Sequence, residues 1–202
     1  PWYTSGVKNV LVAIDTIFVL LDHDRVRCST NDDGNPRFGN PNMDYHASLV
    51  TDLDLGAPVR SIASSSFCIC ALLQAPLAGQ MRCWGSGSGA AFFGLGTYVA
   101  YIEDAALVPV TPVGAPVRAL ARSLGSSHNC VLTNTSQVRC WGDSTYGQLG
   151  TAWPTSPTQP LGDDEPASVG ATLVFGNASE SERVVALALG SSHSCAVIDV
   201  GA

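Results

Sequence analysis

A motif that returns at the interval of one supersecondary unit restricts a fold strongly, because each copy must bury its apolar face against the next. In this chain Gly56–Ala63 reads GAPVRSIA and Gly114–Ala121 reads GAPVRALA. Weaker copies are SGVKNVLVA at Ser5–Ala13 and SERVVALALG at Ser181–Gly190. Downstream of the first three lie Val26-Arg27-Cys28, then MRCWG at Met81–Gly85 and VRCWG at Val138–Gly142. From the leading valines Val7, Val59 and Val117 to these cysteines the intervals are 21, 24 and 23 residues. RFGN, GLGT and QLGT then close the units, and SSHNC at Ser126–Cys130 returns as SSHSC at Ser191–Cys195. The spacing predicts one repeat domain over residues 1–202, with units 5–55, 56–113 and 114–180 and a truncated unit 181–202.

Composition indicates what a unit is made of. Only 13% of the residues are charged, while the chain has 20 Gly and 12 Pro. Short strands joined by turns fit this better than helices, whose exposed faces need Lys and Glu. The apolar and β-branched segments VRALA, CVLT and QVRCW read as half-buried strands. Each unit is then strand, turn, strand, polar hairpin tip, strand and Gly-rich loop, too small to fold alone. The expectation is an all-β chain, a partial β-propeller of about three and a half blades, each a small antiparallel sheet. With 202 residues and 46% apolar content it has material for a sizeable core. The longest apolar run, Val10–Leu21, is interrupted by Asp15 and is too short to span a bilayer. A net charge of −7 offers no basic surface for phosphates, so neither nucleic acid nor membrane insertion is expected. The chain starts at Pro1 without Met or a signal-type segment and is expected to be a processed or excised piece, cut mid-blade at its end.

The pattern G-S-S-H-x-C … V-x-C-W-G … Y-G-Q-L-G resembles the repeat of the regulator of chromosome condensation family. The resemblance is sharp in the third unit, good in the second, where CICALL replaces SHNCVL, and faint in the first, which lacks the Trp-Gly. It implies propeller blades, commonly seven to a ring. Trp84 and Trp141, followed by Gly85 and Gly142, are expected to be wedges between neighbouring blades. Gly142, Gly147 and Gly150 are expected where positive φ or close backbone approach is needed. His128 and His193, recurring beside Ser pairs, are read as buried hydrogen-bonding turn residues rather than ligands, since no zinc-type ligand spacing surrounds them.

Cys130 and Cys140 flank a polar tip, and Cys70 and Cys83 repeat the arrangement with a hairpin three residues longer. Opposed positions on adjacent antiparallel strands are close enough for disulfides; buried thiols and a metal or catalytic role are the alternatives. Phe18 stands where the first unit's partner cysteine belongs, leaving Cys28, for which Cys68 in the next blade is a candidate partner. Cys195 calls for a cysteine on a later V-x-C-W-G strand. Cross-strand disulfides belong to oxidising compartments, and two glycosylation acceptors, Asn134-Thr-Ser and Asn177-Ala-Ser, point the same way. The cysteine-containing pattern is similar to that of Crinkly-type receptor ectodomains.

Chemistry is sparse. Asn31–Pro36 has oxygen-rich residues without the spacing of a calcium loop. Asp52, Asp54 and the triplet Asp163-Asp164-Glu165 read as solvated carboxylates. No nucleophile elbow or phosphate loop occurs, and no cofactor is expected. The expected function is a non-enzymatic extracellular propeller segment, secreted or at the cell surface. It would serve as a protein-interaction or structural scaffold, with other chains or the rest of its own polypeptide completing a propeller or fibre. The apolar insertion Ala91–Val110 either meets a partner or packs the blade's outer strand. An intracellular nucleotide-exchange-type propeller for a small GTPase and a propeller-face enzyme are the alternatives.

Overall fold

The structure, a computed structural model, describes residues 6–13, 16–30, 51–66, 68–86, 93–97, 101–102, 107–123, 125–150, 160–170, 172–173 and 183–200. The first sheet is β1 (Val7–Ala13), β2 (Thr16–Leu21), β3 (Val26–Thr30) and β4 (Thr51–Asp52), in that order. The second repeats it with β5 (Val59–Ser64), β6 (Cys68–Leu73), β7 (Met81–Ser86) and β8 (Tyr101–Ile102). The third joins β9 (Val117–Leu120) to a later strand β11 (His128–Thr133) and then β12 (Val138–Gly142). Bridges from Val138 to Leu173 and from Gly142 to Leu161 extend its outer edge. The fourth holds β10 (Arg122–Ser123), β13 (Arg183–Leu189) and β14 (Ser194–Asp199), with β10 parallel to β13 and all other pairings antiparallel. The architecture is all-β, with a short 3-10 turn at Ala167–Val169 among the described residues.

Local chemistry sets the hairpins. At two tips the chain reverses through three residues, with Asp24 (φ 64°) and Ser136 (φ 59°) in the left-handed region that short polar side chains tolerate. The equivalent closing bonds are Leu21 N–H to Arg25 O at 2.9 Å and Thr133 N–H to Gln137 O at 2.9 Å. Thr133 Oγ1 also accepts from Gln137 N–H at 3.1 Å, which fixes the tip carrying Asn134. Asn134 itself is exposed there.

Packing between sheets explains the burial pattern. A strand side chain points to alternate faces, so a sheet covered on one side alternates and a sheet covered on both does not. Every residue of β6 and of β11 is buried. β14, in the last sheet, runs half-buried and exposed in turn, and β1 leaves Val7, Val10 and Val12 exposed. The middle blades therefore sit between neighbours and the fourth sheet presents one exposed face, whereas in the first sheet β2 is buried on both faces over Phe18–Leu21 and exposure is concentrated on the edge strand β1. First strands run side by side, β1 against β5 and β5 against β9. One core cluster joins Phe18, Leu20, Val26 and Cys28 of the first sheet to Ile69, Ala71, Leu73 and Trp84 of the second. The other begins on the opposite face of the second sheet, with Cys70, Leu72, Met81 and Cys83, and continues through the third sheet to Val184 and Leu189.

Trp84 is fully buried and meets Phe18 edge to face, ring centroids 6.3 Å apart. Replacing Trp84 with Ala is expected to cost about 3–5 kcal/mol, the range for truncating a buried aromatic. Val197→Ala, at a site 59% exposed, is expected to stay within about 0.5 kcal/mol. Urea unfolding of the two variants checks both values.

Candidate functional site

The repeat places its special residues at equivalent points of each blade. Cys70 lies opposite Cys83 and Cys130 opposite Cys140 in the strand register. Their Sγ atoms are 2.12 and 2.01 Å apart, with Cα–Cα distances of 4.1 Å in both pairs. In the first sheet the same register sets Phe18 opposite Cys28, so a ring occupies the place of the first sulfur. Cys28 and Cys68 are not bridged to each other, contrary to the expected candidate pair. The alternation of β6 is the reason: Cys68 is in the core cluster on the third-sheet side and Cys28 in the cluster on the first-sheet side. The second sheet separates them, and Cys68 Sγ lies 3.1 Å from Ser65 Oγ and 3.5 Å from Asn129 Nδ2 of the third sheet. Burial pushes the Cys28 thiol up to about 12 and raises Cys68 as well, so neither is a ready nucleophile.

Trp84 and Trp141 are both 0% exposed and sit one residue beyond the cysteines, on the opposite face. Gly142 (φ 111°) has no alternative: an added Cβ would lie 2.7 Å from His128 Cα and 2.9 Å from Ser127 O. Gly85, Gly147 and Gly150 also have positive φ, at 134°, 77° and 70°.

The seam between the third and fourth sheets gathers the polar residues of the two Ser-Ser-His turns. His128 is fully buried, with Nε2 2.8 Å from Ser194 Oγ, and Ser194 Oγ donates to Gln148 O at 2.8 Å. A hydroxyl has one proton. Ser194 gives it to the carbonyl, so Nε2 must carry the hydrogen and donate to Ser194. Burial holds His128 neutral, which leaves Nδ1 a bare buried acceptor that has no partner among the described residues. Ser127 Oγ donates to Asp143 Oδ2 at 3.1 Å and reaches Ser191 O at 3.3 Å. Gln148 is buried, and its Oε1 accepts from Tyr146 N–H at 2.8 Å. His193 differs from its repeat partner: it is exposed and folds over Gly190, with Cε1 2.2 Å from where a Cβ would lie. Its expected burial is corrected: the fourth sheet covers His128, and among the described residues no sheet covers His193 in the same way.

One repeated role escaped the sequence reading. The arginine before each cysteine ties its sheet to the segment outside it. Arg27 pairs with Asp52 on β4, Arg82 Nη1 donates to Val108 O at 2.7 Å, and Arg139 Nη1 donates to Ser168 O at 2.8 Å and Gly170 O at 2.7 Å. The signal was the recurrence of Arg in V/M-R-C. In its described part the insertion Ala91–Val110 divides: Phe93 and Val108 are buried and β8 pairs with β7, while Leu107 and Val110 are exposed. Asp163, Asp164 and Glu165 bring their carboxylate oxygens within 4.8 Å of one another. Asp164 is exposed as expected, but Glu165 is less solvated: its Oε2 is buried, and burial, then hydrogen bonding to Asp164, raises Glu165 to about 7. Asn31–Pro36 and Asn177 lie outside the described residues.

Burial, opposed by Asp143 and assisted by His193, lowers His128 from 6.5 to about 4. Between those values the unfolded chain binds the extra proton, so this contribution is intact above about pH 6.5 and is lost as pH falls toward 4. At about 1.4 kcal/mol per pH unit, the loss amounts to about 3 kcal/mol. Urea midpoints at pH 7.5 and 4.5 are expected to differ by less in His128→Asn than in the parent chain.

The sequence profile of the regulator of chromosome condensation (RCC1) repeat matches residues 123–148, which hold the Ser-Ser-His turn, the Cys130–Cys140 hairpin and the start of the Gly loop. No curated protein matches the sequence. Among solved structures the fold overlays human WBSCR16 with TM-score 0.67 at 15% identity, covering 98% of this chain and 45% of that one. It overlays yeast RCC1 (Prp20), in its complex with Kap60, with TM-score 0.64 at 17% identity, covering 98% and 42%. The CRINKLY WD40 ectodomain of the Arabidopsis thaliana receptor kinase ACR4 gives 0.53 at 15% identity, covering 96% and 49%. The chain thus spans less than half the length of each. The match at residues 123–148, the repeat register and these overlays show a chain folded as an array of β-propeller repeats similar to those of the regulator of chromosome condensation family, with cross-strand cysteine pairs in two of them.

Proposed function

We propose that this chain is a non-enzymatic propeller segment that works outside the cell as a protein-interaction or structural scaffold, within a larger chain or assembly. The observation that carries the reading is the cysteine pair repeated at one register in two blades. Such pairs persist where thiols are oxidised. Asn134, on an exposed and well-formed hairpin tip, supports the same setting as a glycan acceptor, and Asn177 is proposed as a second. The overlay on a receptor-kinase ectodomain agrees with it. The partners proposed are proteins, by analogy with yeast Prp20, whose structure is known bound to Kap60 and whose binding to Gsp1p and histones is described. Nothing in the proposal needs nucleic acid, a cofactor or insertion into a membrane; no helix among the described residues is long and apolar enough to cross one.

A second reading, an intracellular nucleotide-exchange-type propeller for a small GTPase, draws on the higher overlay with yeast RCC1. Thiol titration of the purified native protein under denaturing, non-reducing conditions separates the two. The extracellular reading predicts three reactive thiols, from Cys28, Cys68 and Cys195. All seven cysteines reacting favours the intracellular one. Enzymatic deglycosylation is expected to lower the intact mass, and an unchanged mass removes the glycan part of the proposal.

A further inference from the structure

The second blade carries an apolar surface that the repeat does not require. The segments leading into β5 and β9 follow one course: Asp52–Val59 and Val110–Val117 show the same succession of buried and exposed residues. Leu53 N–H donates to Val26 O at 2.8 Å, and Thr111 N–H donates to the equivalent Met81 O at 2.9 Å. Gly56 and Gly114 then turn with φ 74° and 84°. At two exposed positions of this course the first blade holds Asp52 and Asp54, and the second holds Val110 and Pro112. Just before them Leu107 is 78% exposed, more than any other large apolar residue among those described. No charged residue occurs from Ala105 to Val117. The second blade is packed on both sides, so this exposure is not that of an end sheet.

Proline sets the shape of this surface. Pro109 and Pro112 fix their own φ, and each bars the residue before it, Val108 or Thr111, from the helical region. Residues 108–112 belong to no strand, and a polyproline II course, which repeats about every three residues, meets both restrictions. Burial follows that repeat: Val108 and Thr111 are buried, while Pro109 and Pro112, and likewise Leu107 and Val110, are exposed. The buried edge is tied down, since Arg82 Nη1 donates to Val108 O at 2.7 Å and Thr111 N–H to Met81 O. Val113 N–H donates to Thr111 O at 3.0 Å, a tight turn at Pro112 that ends the course. A fixed ridge of two prolines and two aliphatic side chains therefore faces solvent. Beside it, towards the hairpin tip at Ala78–Met81, opens a hollow of about 380 Å³ with Val110, Pro112 and Pro116 in its wall. An apolar cavity of about 150 Å³ already admits benzene, so this one has room for an aromatic side chain.

We propose that the Leu107–Pro112 ridge is a docking site for a protein domain whose groove is lined by aromatic side chains, of the class that recognises paired prolines in an extended segment. The proposal rests on the reading of the chain as a protein-interaction scaffold, and it names the chemistry of the partner. A ridge already held in its bound form loses little conformational entropy on docking. Aromatic grooves read such ridges through the proline rings, and the hollow beside Pro112 takes one aromatic side chain of the groove's rim. With no charge on the segment, shape and apolar area carry the contact. The first blade is not a copy of the site, because carboxylates occupy the same positions there and Asp52 is held by Arg27.

The test measures binding of the full chain to a panel of immobilised SH3, WW and EVH1 domains, which supply grooves of this class. At least one domain is expected to bind the parent chain at least about tenfold more tightly than the double variant Val110→Asp, Pro112→Asp. That variant carries the first blade's residues at equivalent positions, so the fold accommodates them, and an unchanged urea midpoint checks this. The double variant Pro109→Ala, Pro112→Ala separates recognition of proline from apolar contact and is expected to weaken binding by a similar factor. If no domain distinguishes the parent from the aspartate variant, the docking site is overturned. Binding unchanged in the alanine variant overturns the recognition of proline. Dimerisation that rises with concentration and is abolished by Leu107→Ser also overturns the proposal, since a second copy then covers the ridge. The thiol count is read on the protein alone, so failure of the extracellular scaffold reading and failure of this docking site are seen separately.

Discussion

The constraint on which the structure depends is that no blade has a core of its own. Each sheet is one layer thick, with apolar side chains on both faces, and only a second sheet laid against it removes them from water. The middle strands β6 and β11 are buried at every position because they have a neighbour on each side. Large rings lie at the seams between sheets. Trp84 reaches across to Phe18, and Trp141 lies against the loop at Gly94 so closely that only glycine fits there. The disulfides act within a sheet rather than between sheets: each joins neighbouring strands of one blade and restrains the unfolded hairpin.

Polar residues then regulate how the layers meet. The arginine preceding each cysteine ties its own blade to the strand or loop outside it. The Ser-Ser-His turn of the third sheet works between blades, with His128 handing its hydrogen to Ser194 and Ser194 handing its own to Gln148. Exposed apolar side chains gather on the first and last sheets, with Val10, Val12 and Ile17 on one and Val197 on the other.

Much of this was legible in the sequence because repetition reports on the environment of one position several times over. The two cysteine hairpins, the tryptophan positions and the glycine loops each occurred twice, and their spacing alone gave the strands and their order. What escaped was geometry that depends on which face a residue takes. Cys28 and Cys68 looked like neighbours in adjacent blades, yet alternation along β6 sends Cys68 to the far side of its sheet. His193 copies His128 in sequence but not in burial, because burial there comes from the following blade. Arg82 and Arg139 were visible as repeats, but their acceptors are backbone carbonyls 26 to 31 residues away, and a carbonyl has no sequence signature. The raised Glu165 belongs to the same class, since its environment is made by tertiary burial and not by its acidic neighbours alone.

Native-state hydrogen exchange resolved by residue tests the dependence of each blade on its neighbours most directly, because exchange free energies rank segments by how much must open to expose them. If stacking holds the molecule together, the amides of β6 and β11 exchange slowest, at the global unfolding free energy. Those of β14, whose outer face is exposed, and of the exposed edge strand β1 exchange fastest among the paired strands. Uniform protection across all four sheets, or β14 protected as strongly as β11, would contradict the account.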